Sequence, residues 1–205
     1  MSATVRDLLE TVEWRLEETL EAFTVMRVIN ENCAGDANPT LHQAIQDRAG
    51  FWKPVTVGLQ TTVITGINAI LDKFSDDSAT LYLILKRLQP KLSASFPSTF
   101  ESELDAIRDR YKRFRHKLFG HNDIKREAIA TEFDQAGFTW ESLAADIGHL
   151  EYALKVLWHV EGGNPIPDKT TAKGMIYPYS LAVARTVQHT SGFLSGLEPK
   201  SGTPQ

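Results

Sequence analysis

Apolar residues recur every three or four positions along most of the chain, with polar residues between them. This spacing places the apolar side chains on one face of an α-helix. The first stripe begins after two capping candidates, Ser2 and Thr4, and ends before the breaker-rich segment 35–39. Its apolar members are Val5, Leu8, Leu9, Val12, Leu16, Leu20, Phe23 and Ile29. The pattern predicts a long amphipathic helix.

The same periodicity predicts further helices over about residues 40–48, 54–73, 78–88, 99–119, 140–160 and 178–193. Pro54 suits the first turn of its helix, where its missing N–H is not needed. Residues 75–78 supply caps for the helix that Pro90 stops, and Gly120 suits the end of the 99–119 helix. No segment shows the alternation of apolar and polar residues that is typical of a β-strand. We therefore predict an all-α protein, an up-and-down bundle of about five to six helices.

The uncharged run from Pro54 to Leu71 approaches the length of a membrane span. Gln60, Asn68 and several threonines dilute it, so we predict a buried central helix and no membrane segment. The tryptophans at positions 14, 52, 140 and 158 lie in apolar periodic segments and are predicted to be core residues.

Composition and charge narrow the function classes. The chain has 205 residues and a net charge of -4, which argues against general polyanion binding because such binding needs many cationic phosphate contacts. Cys33 is the single cysteine, so a disulfide framework and a cysteine zinc site are excluded. The N-terminal residues lack the apolar core of a signal peptide. These features fit a cytoplasmic protein.

One segment departs from this mild acidity. Within Arg108–Lys117 only Asp109 opposes six cations: Arg108, Arg110, Lys112, Arg113, Arg115 and Lys117. Such a run is typical of a solvated helix end, where cations interact favourably with the helix dipole. It also suits a local phosphate-binding patch, for which Arg108, Lys112 and Lys117 are the candidates for RNA contacts. Both interpretations remain open on charge alone.

Inside this run, Arg115 precedes His121 by six residues. Histidine exchanges protons near neutral pH, and arginine stabilises charge on a phosphate, so the two residue types suit RNA cleavage without a metal or cofactor. The spacing alone specifies little, because Arg110 and His116 repeat it. Six residues along a straight helix also leave two side chains about 120° apart. The pair therefore needs a helix break at Gly120 or residues from a second subunit.

The longer string Arg115–Asp123, RHKLFGHND, resembles the HEPN superfamily, and within it the branch named for phage abortive-infection proteins. Members carry an arginine, a polar residue directly after it, and a histidine that is separated from the arginine by four to six intervening residues. Further similarity to the second and third helices of that branch lies in Phe51-Trp52, Ile70-Leu71-Asp72, Ser78-Ala79-Thr80-Leu81 and Leu85-Lys86-Arg87-Leu88. The resemblance covers about residues 1–160, which would form the helical bundle. Residues 161–205 lie outside it and are expected to form a loop, the short last helix and a tail.

The resemblance implies a homodimer in which the motifs of two chains face each other. It further implies a metal-independent endoribonuclease that leaves 2′,3′-cyclic phosphate ends, as a toxin or phage-defence component with an antitoxin partner. Arg115 and His121 would be the catalytic pair, with His116 as a polar helper, and Asp123 and Asn122 in support. Asp123 replaces the tyrosine that a related toxin group carries two residues after the histidine, so the modification known there is not expected.

Two other functions stay open. The motif segment could instead be a polar interface of a non-catalytic helical module that dimerises or binds a partner. Plain nucleic-acid binding through the Arg108–Lys117 face would show a steep salt dependence. Three further histidines, His149, His159 and His189, form no zinc spacing and are predicted to be ordinary core or surface residues.

Overall fold

The structure is a computed structural model, and it describes residues 3–33, 39–73, 78–94, 96–119, 138–164 and 166. At positions 32, 33, 40, 41, 44 and 113–119 only the backbone is described. This part of the chain contains six α-helices and no strand: α1 Val5–Cys33, α2 Pro39–Asp47, α3 Ala49–Ile70, α4 Leu81–Leu88, α5 Phe100–Phe119 and α6 Trp140–Glu161. A short 3₁₀ turn, Gln89–Lys91, follows α4. The predicted all-α class is confirmed. The predicted helix at 178–193 lies outside the described residues.

Local signals place the helix boundaries. The Thr4 hydroxyl accepts a hydrogen bond from the Asp7 N–H, and the Asp7 carboxylate accepts one from the Thr4 N–H, so α1 begins with reciprocal capping. Thr139 and Ser142 make the equivalent capping box at α6. Pro90 lies in the 3₁₀ turn after α4 and ends that helix, as predicted.

Two boundary predictions were wrong. The cap of α4 is Thr80, whose hydroxyl accepts a hydrogen bond from the Leu83 N–H at 3.1 Å, and not one of the residues 75–78. Helix α3 begins at Ala49, so Pro54 lies inside it and not in its first turn. The Arg48 carbonyl starts α3 by accepting hydrogen bonds from the N–H groups of Phe51 and Trp52. The sequence carries no conventional capping side chain at this point.

The core lies between α1, α3, α5 and α6. Helix α1 packs along α3 and α6, α3 also packs on α5, and α4 packs on α6 and α1. The stripes of α1, α3, α4, α5 and α6 contribute buried side chains, among them Leu9, Ile67, Ile84, Tyr111 and Leu157. In α6, Leu143 and Trp158 are only half-buried but pack against this core.

Two predictions of burial were wrong. Trp14 is 58% exposed on α1, although it lies in an apolar periodic segment. It falls two positions after Val12 and two before Leu16, which are both buried, so helix geometry turns it away from the core. Helix α3 is buried only in its C-terminal half, because Phe51 and Val57 in the other half are 56% and 51% exposed. None of the helices within the described ranges is long and apolar enough to cross a membrane.

Candidate functional site

Helix α5 carries the basic run and the first part of the predicted catalytic motif. Arg115, His116 and Lys117 lie in its last turns, where the structure gives the backbone alone. Gly120, His121, Asn122 and Asp123 lie outside the described residues. The pairing of Arg115 with His121 therefore stays a prediction, as does the break at Gly120.

The register of α5 nevertheless places Arg115 on a particular face. Leu104, Ile107 and Tyr111 are buried and form the stripe by which α5 enters the core. Position 115 follows position 111 by four residues, a rotation of about 40° from it around the helix axis. Position 116 is rotated by about 140° from Tyr111. The backbone position of Arg115 thus continues the buried stripe of α5, whereas that of His116 lies on another side.

Helix α5 runs antiparallel to α3. Near the start of α5, Glu101 accepts a hydrogen bond from the Lys73 ammonium at 2.8 Å. Further along, the Tyr111 carbonyl accepts one at 3.3 Å from the side-chain amide of buried Asn68. The N-terminal half of α3 therefore extends toward the same end of the molecule as the turns of α5 that contain Arg115.

A buried polar group lies one turn before Arg115. The Arg110 guanidinium donates a short hydrogen bond to Oδ1 of Asp146, an α6 residue that is only 3% exposed. Burial raises the pKa of Asp146, and the positive charge of Arg110 offsets this only partly. Sequence reasoning missed Asp146, although an acid between Leu143 and Ile147 on the apolar stripe of α6 was a usable signal.

The Tyr111 hydroxyl faces this carboxylate. Neither the hydroxyl nor Oδ2 of Asp146 makes a well-formed hydrogen bond within the described part of the chain. Burial raises the pKa of Tyr111, and the negative charge of Asp146 raises it further. Tyr111 therefore stays neutral at physiological pH. Its ring packs edge-on against Phe138, with the ring centroids 4.9 Å apart.

The basic run is more neutralised than its sequence indicates. Arg108 is largely covered, with its guanidinium nitrogens 2.9 Å from carboxylate oxygens of Asp105 and Asp109. Its guanidinium also lies over the ring of Tyr82. Acids from outside the run thus neutralise two of its cations, because Arg110 is bound to Asp146 and Arg108 contacts Asp105. Of the three candidate RNA-binding cations, Lys112 is exposed, Arg108 is engaged with acids, and the side chain of Lys117 lies outside the described residues.

A second polar cluster lies near the start of α5. Asp105 accepts a hydrogen bond from the Tyr82 hydroxyl at 2.7 Å and further ones from Lys73. Burial acts to raise the pKa of Asp105, but these hydrogen bonds and the Arg108 charge outweigh it, so the pKa is lowered. The pKa of Tyr82 is raised by burial and by Asp105. No member of the cluster therefore titrates near neutral pH, and we interpret it as a network that ties α4 and α5 to the end of α3.

Two clefts open between the described helices. The larger, of about 480 Å³, lies beside this polar cluster and is lined by residues of α4, the 3₁₀ turn and the start of α5. The smaller, of about 260 Å³, lies between α1, α3 and the start of α6. Its lining residues are Met26, Gln60, Val63, Ile64, Phe138, Thr139, Trp140, Glu141 and Leu143. We call this second cleft the α6 groove.

Two described histidines outside the motif, His149 and His159, lie on α6. His149 is exposed, and Nδ1 of His159 lies 2.8 Å from the Lys155 carbonyl oxygen within α6. Among the residues that the structure describes, no cluster of three or more histidine, cysteine or acidic side chains could hold a metal ion.

Comparison with known proteins gives no relative: no family model, curated protein or solved structure matches this chain.

Proposed function

We propose that the chain is a metal-independent endoribonuclease of the HEPN type, acting as a toxin or phage-defence component. The observation that carries the proposal is the position of Arg115, which continues the buried stripe of α5. An arginine at this position is suited to bind an anion, because its planar guanidinium matches the oxygens of a phosphate. Asp146, the buried acid that faces this part of α5, is already bound to Arg110. A phosphate of RNA bound in a cleft between two subunits is the anion that we propose for Arg115.

In the proposed reaction, the 2′-hydroxyl oxygen of the RNA attacks the adjacent phosphorus, and the bond from phosphorus to the 5′-oxygen breaks. The neutral His121 of one subunit takes the proton of the 2′-hydroxyl, and the protonated His121 of the facing subunit gives its proton to the leaving 5′-oxygen. Arg115 stabilises the charge that gathers on the phosphate. His121 is the proton-transfer residue, His116 assists, and Asp123 and Asn122 orient His121. The products are a 2′,3′-cyclic phosphate and a free 5′-hydroxyl.

A homodimer is part of the proposal. His121 follows Arg115 by six residues, and a continuous helix would leave them on different sides. Two motifs that face each other across a subunit interface supply two arginines and two histidines to one cleft. We further propose that an antitoxin protein binds over this cleft and blocks it. The proposed location of the protein is the cytoplasm.

The central experiment measures RNA cleavage in EDTA by the wild-type protein and by His121→Ala. Loss of proton transfer typically lowers a rate by about 10²–10⁴-fold, so the variant should show almost no cleavage. The cleavage rate of Arg115→Ala should fall by a comparable factor, because this variant no longer stabilises the charge on the phosphate. His159→Ala is the matched control, because His159 lies near the C-terminal end of α6 and its Nδ1 atom is 2.8 Å from the Lys155 carbonyl oxygen within that helix. The proposal fails if structured and single-stranded RNAs all stay intact, or if His121→Ala cleaves as fast as the wild type.

A second candidate function is a non-catalytic module that dimerises or binds a partner protein. It is favoured by the large apolar side chains that the described surface exposes, Trp14, Phe51 and Val57. This function predicts that Arg115→Ala and His121→Ala weaken association. Mass photometry separates the two functions, because variants that remain dimeric but no longer cleave RNA assign the motif to catalysis.

A further inference from the structure

The α6 groove adjoins the end of α5 that carries Arg115. Phe138, which lines the groove, packs against the Tyr111 ring with 4.9 Å between ring centroids. Arg115 follows Tyr111 by four residues, or about 6 Å along the helix axis. The backbone of Arg115 therefore lies about one helical turn beyond Tyr111, whose ring contacts the groove residue Phe138.

The lining of the groove suits a flat apolar group. Met26, Val63, Ile64 and Leu143 provide aliphatic walls, and Phe138 and Trp140 provide aromatic ones. The Trp140 ring is held by Phe23 at 6.0 Å between centroids. At about 260 Å³ the groove is smaller than the usual range of small-molecule pockets, and it accommodates a base more readily than a whole nucleotide. Sequence-specific proteins recognise single-stranded RNA by stacking splayed bases on such surfaces.

The negative charge of Glu141 determines which part of a nucleotide the α6 groove can bind. Glu141 lines the groove, and hydrogen bonds from its own backbone and from the Thr139 hydroxyl lower its pKa, so it is ionised at neutral pH. A carboxylate repels phosphate but accepts hydrogen bonds from base N–H groups. Guanine presents two parallel N–H donors on its Watson–Crick edge, which match the two oxygens of a carboxylate. The Gln60 amide, on the α3 wall, can donate to the guanine carbonyl oxygen.

We propose that the α6 groove binds one unstacked guanine of the RNA substrate, with Glu141 accepting hydrogen bonds from its Watson–Crick edge. The inference rests on the proposed ribonuclease function, from which it takes RNA as the ligand. It adds a base-specificity site on α3 and α6, outside the motif segment.

The test separates binding from cleavage by using short 2′-O-methyl RNAs, which lack the attacking hydroxyl. Four fluorescent oligonucleotides that differ at one base in an oligouridine context are titrated with the full-length protein by fluorescence polarisation. We expect the guanine-containing oligonucleotide to bind about tenfold more tightly than the uridine one, the scale of one bidentate base contact. Glu141→Gln should lose most of this preference. Gln60→Trp, which fills the mouth of the groove, should weaken binding of the guanine oligonucleotide.

Glu17→Gln is the matched control, because Glu17 is an exposed acid on α1 and its removal changes the net charge equally. Equal affinity for the four oligonucleotides, no binding of any of them, or an unchanged preference in Glu141→Gln would each overturn the inference. Unmodified RNAs are then digested. Cleavage without base preference would contradict the guanine site but not the proposed ribonuclease function. Selective binding of guanine without cleavage would contradict the ribonuclease function but not the guanine site.

Discussion

The two halves of α3 have similar apolar sequences and very different surroundings. Val63, Ile64, Ile67 and Ile70 in the C-terminal half are buried. Phe51 and Val57 in the N-terminal half are among the most exposed large apolar side chains of the described chain. Both halves belong to one continuous helix, so secondary structure does not distinguish them. The difference shows that burial of an apolar helix depends on which neighbours reach it.

Two contacts explain why the C-terminal half is enclosed. Gly66 lets α1 approach closely, since a Cβ atom at this position would overlap the Thr19 side chain. Asn68 joins the same half to α5 through the Tyr111 carbonyl. Gly58, in the N-terminal half, would have no atom within 4 Å of an added Cβ. Gly66 therefore allows α1 and α3 to pack together, whereas Gly58 faces open space.

The largest expected effect comes from deleting apolar volume in the enclosed half. Ile67→Ala should lower the free energy of unfolding by about 2–5 kcal/mol, because Ile67 is fully buried and a cavity would remain. Val57→Ala should change it by less than about 0.5 kcal/mol, since Val57 already contacts solvent. Urea unfolding of both variants measures the difference. Similar losses would mean that Val57 is covered in solution, for example by a second subunit.

The two glycines test the close approach of α1 and α3. Gly66→Ala should destabilise the fold by about 1–3 kcal/mol, because the new methyl group must displace Thr19. Gly58→Ala should stabilise it by about 0.5–1 kcal/mol, because alanine is the better helix former and meets no obstacle. Combining Gly66→Ala with Thr19→Ala should recover part of the loss. A neutral Gly66→Ala in thermal and urea unfolding would contradict the described helix contact.

The smallest effect is a pH dependence at the ion pair that joins Arg110 of α5 to Asp146 of α6. The pKa of Asp146 is raised above 3.8, the usual value, so its protonated form favours the folded state. This stability is complete below pH 3.8 and is lost as pH rises through the raised pKa. The stability of the wild type relative to Asp146→Asn should therefore decrease with rising pH.

Asp105 provides the opposite control for that measurement, because its pKa is lowered. Its contribution is present above pH 3.8 and is lost as pH falls through the lowered value, so the slope relative to Asp105→Asn should have the other sign. Urea unfolding at a series of acidic to neutral pH values measures both slopes. Equal signs for the two variants would contradict the burial of Asp146.

The sequence predicted helices well because the apolar spacing of α1, α5 and α6 is a local property of the chain. It failed at Trp14 and in the first half of α3, because an apolar residue in a periodic segment need not face the core. For the candidate site, the sequence singled out Arg115 and the basic run but missed Asp146, which lies 36 residues from its partner Arg110. An ion pair between helices that are far apart along the chain has no characteristic residue spacing by which the sequence could reveal it.

By itself, the sequence determined the all-α class, the extent of most helices and the segment that carries the candidate chemistry. These follow from helical periodicity, capping residues and residue type, which act over a few positions. Only the tertiary structure decided that α1 covers one half of α3, that Arg110 and Arg108 are engaged with acids, and that a groove opens beside Tyr111. These features depend on contacts between residues far apart in the chain, which no local pattern records.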